Sequence, residues 1–144
     1  MFQPWLERRA DIGVVCDPQG TTRLHRIRSG PTGQFQGITI GDEARIREHE
    51  SALRDIAQVV RERLASEGYT DAFGIDAFVD AQGRLIPICE INGRHTFGHV
   101  AHALREQAAA AGPTGPITLH FGDEPPANTN AVVPLCRSAW LARP

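Results

Sequence analysis

The sequence predicts an α+β domain: a mainly antiparallel sheet with two helices packed on one face. Three observations lead there. Short apolar-alternating runs flank two similar D-x-Q-G turns. Two longer segments repeat apolar residues at helical spacing. The elements follow one another as hairpin, helix, hairpin, helix, strand. At 144 residues the chain is one domain by length and can bury a real core.

The segment Phe2-Gln-Pro-Trp-Leu6 is extended and stiffened by Pro4. Asp11–Cys16 reads as a strand. Asp17-Pro-Gln-Gly20 then closes a hairpin onto Thr21–Arg28, because Asp first, Pro second and Gly fourth fit a type I turn. Ser29–Gly37 holds three Gly and one Pro and is expected to be a loop ahead of Ile38–Ile40. Asp42–Ser66 is the longest predicted helix, with Ile46, Leu53, Ile56, Val60 and Leu64 on one side. Asp42 and Glu43 suit its N-terminus, and Gly68 suits its C-terminal cap. Strands Ala72–Val79 and Arg84–Ile91 flank the turn Asp80-Ala-Gln-Gly83. A second helix, Thr96–Ala111, is stopped by Gly112 and Pro113. Ile117–Phe121 is a short strand, and the tail to Pro144 shows no decisive period.

Apolar residues make up 41% and charged residues 22%, which excludes a disordered chain. Net charge is −2 with the basic residues dispersed, so the sequence offers no basic stripe for a nucleic acid. It has no apolar run long enough to span a membrane, and Met1–Arg9 lacks the apolar core of a secretory signal, so a cytoplasmic protein is expected. Cys16, Cys89 and Cys136 are expected to be buried free thiols. All 15 basic residues are Arg, so no lysine is present to clamp a phosphate or form a Schiff base.

The chemistry concentrates in Gly74–Val100. A three-residue loop with Gly83 in the left-handed region sets Asp80 opposite Arg84. Asp76 then faces Ile88, and Glu90 is its diagonal neighbour on the same sheet face, roughly 7–8 Å away at the backbone. Asn92 projects from that face too. The other face (Phe73, Ile75, Ala77, Val79, Leu85, Pro87, Cys89, Ile91) is apolar and expected against the helices. Two carboxylates and a carboxamide together are hard oxygen ligands of the kind Mg²⁺ takes, with phosphate and water completing its shell. The alternative is a pair of unrelated strand-edge carboxylates. A two-residue loop would put Asp76 and Glu90 on opposite faces.

The pattern G-I-D-x-F-x-D…C-E-I-N-G-R-H-T resembles the end of the ATP-grasp domain. That resemblance implies the C-terminal lobe of an ATP-dependent carboxylate–amine or carboxylate–thiol ligase. Asp76, Glu90 and Asn92 would hold Mg²⁺ (or Mn²⁺), and Arg94 would meet phosphate or the carboxylate substrate. Phe2–Leu6 followed by Asp11 is similar to the family's hinge, where backbone near Gln3, Trp5 and Leu6 would take adenine and Asp11 the ribose. Gln3 departs from the acidic residue usual there. The likeness covers about Phe2–Leu104. The family's upstream lysines and glycine-rich loop have no counterpart, so the expectation is a partial domain whose N-terminal lobe is missing or lies on a partner chain.

Two further readings stay open. One is a non-catalytic nucleotide- or metal-binding module. The other is a small zinc protein built on His95, His99 and His102, which fall on one face of the second helix opposite a core stripe of Phe97, Val100, Ala101, Leu104 and Ala108. Arg23, Arg26 and Arg28 could reach phosphate or be salt-bridged at the surface.

Overall fold

The computed structural model describes residues 6–41, 44, 46–112, 115–122, 124–126, 131–136 and 138–143. Among the described residues, eight strands pair antiparallel in one sheet: β1 (Arg8–Cys16), β2 (Thr22–Ser29), β3 (Phe35–Ile40), β4 (Phe73–Asp80), β5 (Leu85–Asn92), β6 (Ile117–Phe121), β7 (Ala131–Cys136) and β8 (Ala139–Arg143). Their order is β5-β4-β1-β2-β3-β6-β8-β7. Two α-helices among the described residues, α1 (Glu50–Ser66) and α2 (Phe97–Ala110), complete the α+β fold.

The two D-x-Q-G turns are built alike. Gly20 and Gly83 have φ of +94° and +82°, and the N–H of each donates to the carbonyl of the turn's Asp, at 3.1 and 3.0 Å. Only glycine takes that φ without strain, which is why the sequence announces both hairpins.

Three boundaries differ from expectation. The first helix begins at Glu50, after a 3₁₀ turn (Arg47–His49) that anchors the buried Ile46; Asp42 and Glu43 lie outside the described residues. β3 starts at Phe35, inside the glycine-rich stretch read as a loop. Gly37 is there because a Cβ at that position would sit 2.3 Å from the Leu119 carbonyl on β6, a close approach that looks like loop composition. The tail supplies β7, interrupted by Pro134, and β8, only five residues long, and neither run shows a clean alternation.

The helices do not share a face of the sheet. Leu53, Ala57 and Val60 of α1 pack with Ile12, Val14, Leu24, Phe73 and Ile75. Ala101 of α2 packs with Ile38 and Leu119, and Gly98 lies against Val15 and His25. Ile12 and Val14 alternate with Gly13 and Val15 along β1, and Gly13 pairs with His25, so the two sets point to opposite sides. The sequence pattern of each helix shows that it has a buried side but not which side of the sheet receives it.

α1 ends in a Schellman motif. The N–H of Gly68 (φ +86°) donates to Ala65 and that of Tyr69 to Leu64. Gly68→Ala, forced into the left-handed region, is expected to lower the unfolding free energy by about 1 kcal/mol in urea titration.

Candidate functional site

β4 and β5 begin from the expected register and then depart from it. Val79 faces Leu85 and Phe78 faces Ile86, but Asp76 directly faces Glu90 and Gly74 faces Asn92. Between these pairs β4 contributes Ala77 alone while β5 contributes Pro87, Ile88 and Cys89. The irregularity falls at Pro87, which has no N–H for the ladder. Two extra residues preserve parity, so Asp76, Glu90 and Asn92 share one face as expected. The carboxylates are opposed rather than diagonal, hence closer than anticipated.

The reading of Cys89 and Ile91 as core residues is also corrected. Phe73, Ile75, Ala77, Val79 and Leu85 pack around α1, whereas Cys89 is exposed and lines the cleft beside Glu90, and Ile91 is exposed. Cys16 is buried, as expected; the side chain of Cys136 lies outside the described residues.

Strand pairing carries the site across the sheet. Asp76 pairs with Gly13, Gly13 with His25, and Asp11 with Phe78 and Ile27. Asp11 therefore rises from the same face, and a cleft of about 430 Å³ contains Asp11, Asp76, Glu90, Asn92 and Arg94. Burial, then the charges of Glu90 and Asp11, raise the pKa of Asp76, while Arg94 opposes them. Neither Asp76 nor Glu90 forms an ion pair among the described residues.

Asp11 is differently placed. It accepts from Arg8 at 3.0 Å and from the Ser29 hydroxyl at 2.8 Å, so its charge is compensated. Asn92 Oδ1 accepts from Arg94 at 3.2 Å, and Arg94 also reaches the His95 carbonyl at 3.3 Å. Asp80 stands apart at the turn. Burial alone would raise its pKa, but the Arg84 backbone N–H and guanidinium hold it below the usual carboxylate range. Of the hinge residues, Leu6 is exposed; Gln3 and Trp5 lie outside the described residues.

The donor set suits a hard divalent cation. Two opposed carboxylates with no ion-pair partner among the described residues, and a carboxamide beside them, can supply part of an octahedral oxygen shell. Among the described residues no three His, Cys, Asp or Glu side chains form a closed metal cage. Mg²⁺ seldom uses such a cage, because phosphate and water fill its remaining positions.

The histidines serve another purpose. His99 Nδ1 accepts the Thr96 N–H at 3.1 Å, which leaves its Nε2–H to donate to the Cys16 carbonyl at 3.2 Å. Both ring nitrogens are occupied structurally. His102 is buried and packs edge-on against His25, and His99 is half-buried, so these two turn inward while His95 stays exposed. The expected core stripe is correspondingly displaced: Ala101 is buried, but Phe97 and Val100 are 54% and 47% exposed. Small residues explain the rotation. A Cβ on Gly98 would lie 2.4 Å from His25 and 2.7 Å from Val15, so only glycine lets α2 approach the sheet there. Arg23 is salt-bridged to Asp17 and Glu106, as the surface reading supposed.

Sequence reasoning missed His25, Cys89, Phe35 and Phe97 as cleft residues. Gly13 and Gly98 were the available signal for His25, since glycine in a strand and in a helix's first turn leaves room for a large ring.

No protein-family model matches the chain, and no curated protein matches it in sequence. Solved structures do match in shape. One is the phosphoribosylaminoimidazole carboxylase ATPase subunit from Aquifex aeolicus, with 13% identity and a TM-score of 0.55, covering 99% of this chain and 52% of that one. Another is N5-carboxyaminoimidazole ribonucleotide synthetase from Thermotoga maritima, with 14% identity and a TM-score of 0.53, covering 98% of this chain and 48% of that one. The chain thus spans about half the length of these structures. With its antiparallel sheet and two helices, the chain shares the fold of part of the ATP-grasp enzymes.

Proposed function

We propose that this chain is the C-terminal lobe of an ATP-grasp enzyme of the ATP-dependent ligase kind, joining a carboxylate to an amine or thiol. The observation that carries the reading is the directly opposed pair Asp76–Glu90, with no ion-pair partner among the described residues and flanked by Asn92 and Arg94 in one cleft. Asp76, Glu90 and Asn92 would hold Mg²⁺ (or Mn²⁺). When bound, the ion would neutralise charge on a transferring phosphoryl group. Arg94, at the rim, orients phosphate or the substrate carboxylate through its planar fork of donors. Asp11 takes ribose hydroxyls in place of Ser29, and the backbone from Gln3 to Leu6 takes adenine. The substrate carboxylate would be activated as an acyl phosphate, with lysines and a phosphate-covering loop supplied by the other lobe.

The test uses this chain with ATP and Mn²⁺. Paramagnetic broadening of backbone amide signals is expected at Asp76, Glu90 and Asn92 and to require ATP. Broadening scattered over the carboxylates of α1, or none at all, would remove the reading. A non-catalytic nucleotide-binding module is the second reading, favoured by the absence of lysine. ATP-dependent binding without turnover, even after a lysine-bearing ATP-grasp N-terminal lobe is supplied, would select it.

A further inference from the structure

The cleft has a second end, of opposite character. Phe35 at the start of β3 and Phe97 at the start of α2 line it and are 41% and 54% exposed. Their rings are nearly parallel, at 15°, with centroids 6.0 Å apart. Phe121 braces both, at 5.4 Å from Phe35 and 4.6 Å from Phe97. The pair is therefore held in place by packing rather than left loose, although large apolar rings ordinarily turn inward. Ile27 and Ile38 continue the apolar wall.

Below them lies His25, which also lines the cleft. It is only 3% exposed, and its Nδ1 is buried without a hydrogen-bond partner among the described residues. Burial, then His102 and His99, holds the ring's pKa at about 3, so it adds no charge to this end of the cleft. Arg94 stands three residues before Phe97, at the junction with the acidic end.

We propose, resting on the ligase reading, that the Phe35–Phe97 end binds the planar ring of an aromatic or heteroaromatic carboxylic acid, its carboxylate directed to Arg94. Two features favour a small molecule over a covering protein surface. The cleft's volume of about 430 Å³ is that of a ligand pocket. The rings are continuous with the acidic end, where a carboxylate would be activated.

Phenylacetate and cyclohexylacetate, alike in size and charge, separate ring stacking from simple burial. Phenylacetate is expected to shift the ring resonances of Phe35 and Phe97 and to bind about tenfold more tightly than cyclohexylacetate. Phe97→Leu should erase the preference, and Arg94→Gln should weaken both acids alike. Equal binding of the two acids, a preference that survives Phe97→Leu, or no binding would overturn the proposal. So would ring resonances that respond only to protein concentration, which would mark a contact between chains. Mn²⁺·ATP broadening at Asp76 and Glu90 with no response to phenylacetate removes this inference alone. Phenylacetate binding without that broadening keeps the aromatic subsite and removes the ligase reading.

Discussion

Glu90→Gln is expected to weaken ATP-dependent Mn²⁺ binding at least about a hundredfold, since loss even of a residue supporting a metal's ligands costs 10–100-fold. The same variant should leave the metal-free protein as stable as the wild type or more so. The combination follows from the register. Asp76 and Glu90 face each other directly, and like charges so placed destabilise a strand pair by roughly 0.2–1 kcal/mol. Asp76 titrates above its ordinary range, chiefly through burial and then Glu90. For an acid whose pKa is raised on folding, the folded state binds more protons in that window, so stability falls as pH rises through it. Neutralising Glu90 removes part of that loss, and a bound cation removes it in the wild type. Mn²⁺ with ATP should therefore raise the wild-type melting temperature and leave Glu90→Gln unmoved. Asp80→Asn provides the opposite signature. Its carboxylate accepts from the Gln82 and Arg84 N–H groups and from the Arg84 guanidinium, so the variant should lose stability while keeping metal binding. If Glu90→Gln destabilised the metal-free protein as Asp80→Asn does, the opposed pair would be structural and the metal assignment would fall.

The parts of this site that were legible in sequence are those fixed by local covalent geometry. Asp80-Ala-Gln-Gly83 dictates its own turn, and Gly83 at positive φ dictates where β5 begins. Alternation then assigns Asp76, Glu90 and Asn92 to one face whether or not a bulge intervenes, provided it inserts an even number of residues. The bulge at Pro87 was not read. A proline permits a break in the ladder without stating its length. What stayed hidden was long-range. Which face of the sheet each helix covers, and which way α2 turns, depend on how closely Gly98 and Gly13 let His25 fit, contacts between residues far apart in sequence. The apolar pattern of α2 pointed to Phe97 and Val100 as core. The close approach of Gly98 outweighed it and turned those side chains outward. Strand β7 escaped for a related reason, because an edge strand with a proline carries little alternation to read, and β8 is only five residues long.

The buried histidines make acid sensitivity the second large expected effect. His25 is enclosed between Gly13 and Gly98 and meets His102 edge-on at a centroid distance of 5.5 Å. Burial, then the His102 and His99 rings, holds the His25 pKa at about 3. Burial, then Arg23, His99 and Arg105, holds that of His102 at about 4. An unfolded chain protonates both near their ordinary value of about 6.5. As pH falls below that value the unfolded state takes up protons that the folded state refuses, so stability is full near neutrality and drains away as the solution is acidified. At about pH 4.5 the His25 difference alone amounts to about 3 kcal/mol, a large share of the 5–15 kcal/mol that typically separates a folded domain from its unfolded chain. The measurement is urea unfolding at a series of pH values between neutrality and that point. His25→Asn is expected to be less stable at neutral pH, because the ring fills space that no smaller group fills. Its stability should nevertheless decline less steeply on acidification, since the group that resists protonation is gone. Equal slopes for wild type and His25→Asn would mean that the ring protonates in place, with its charge accommodated inside the fold.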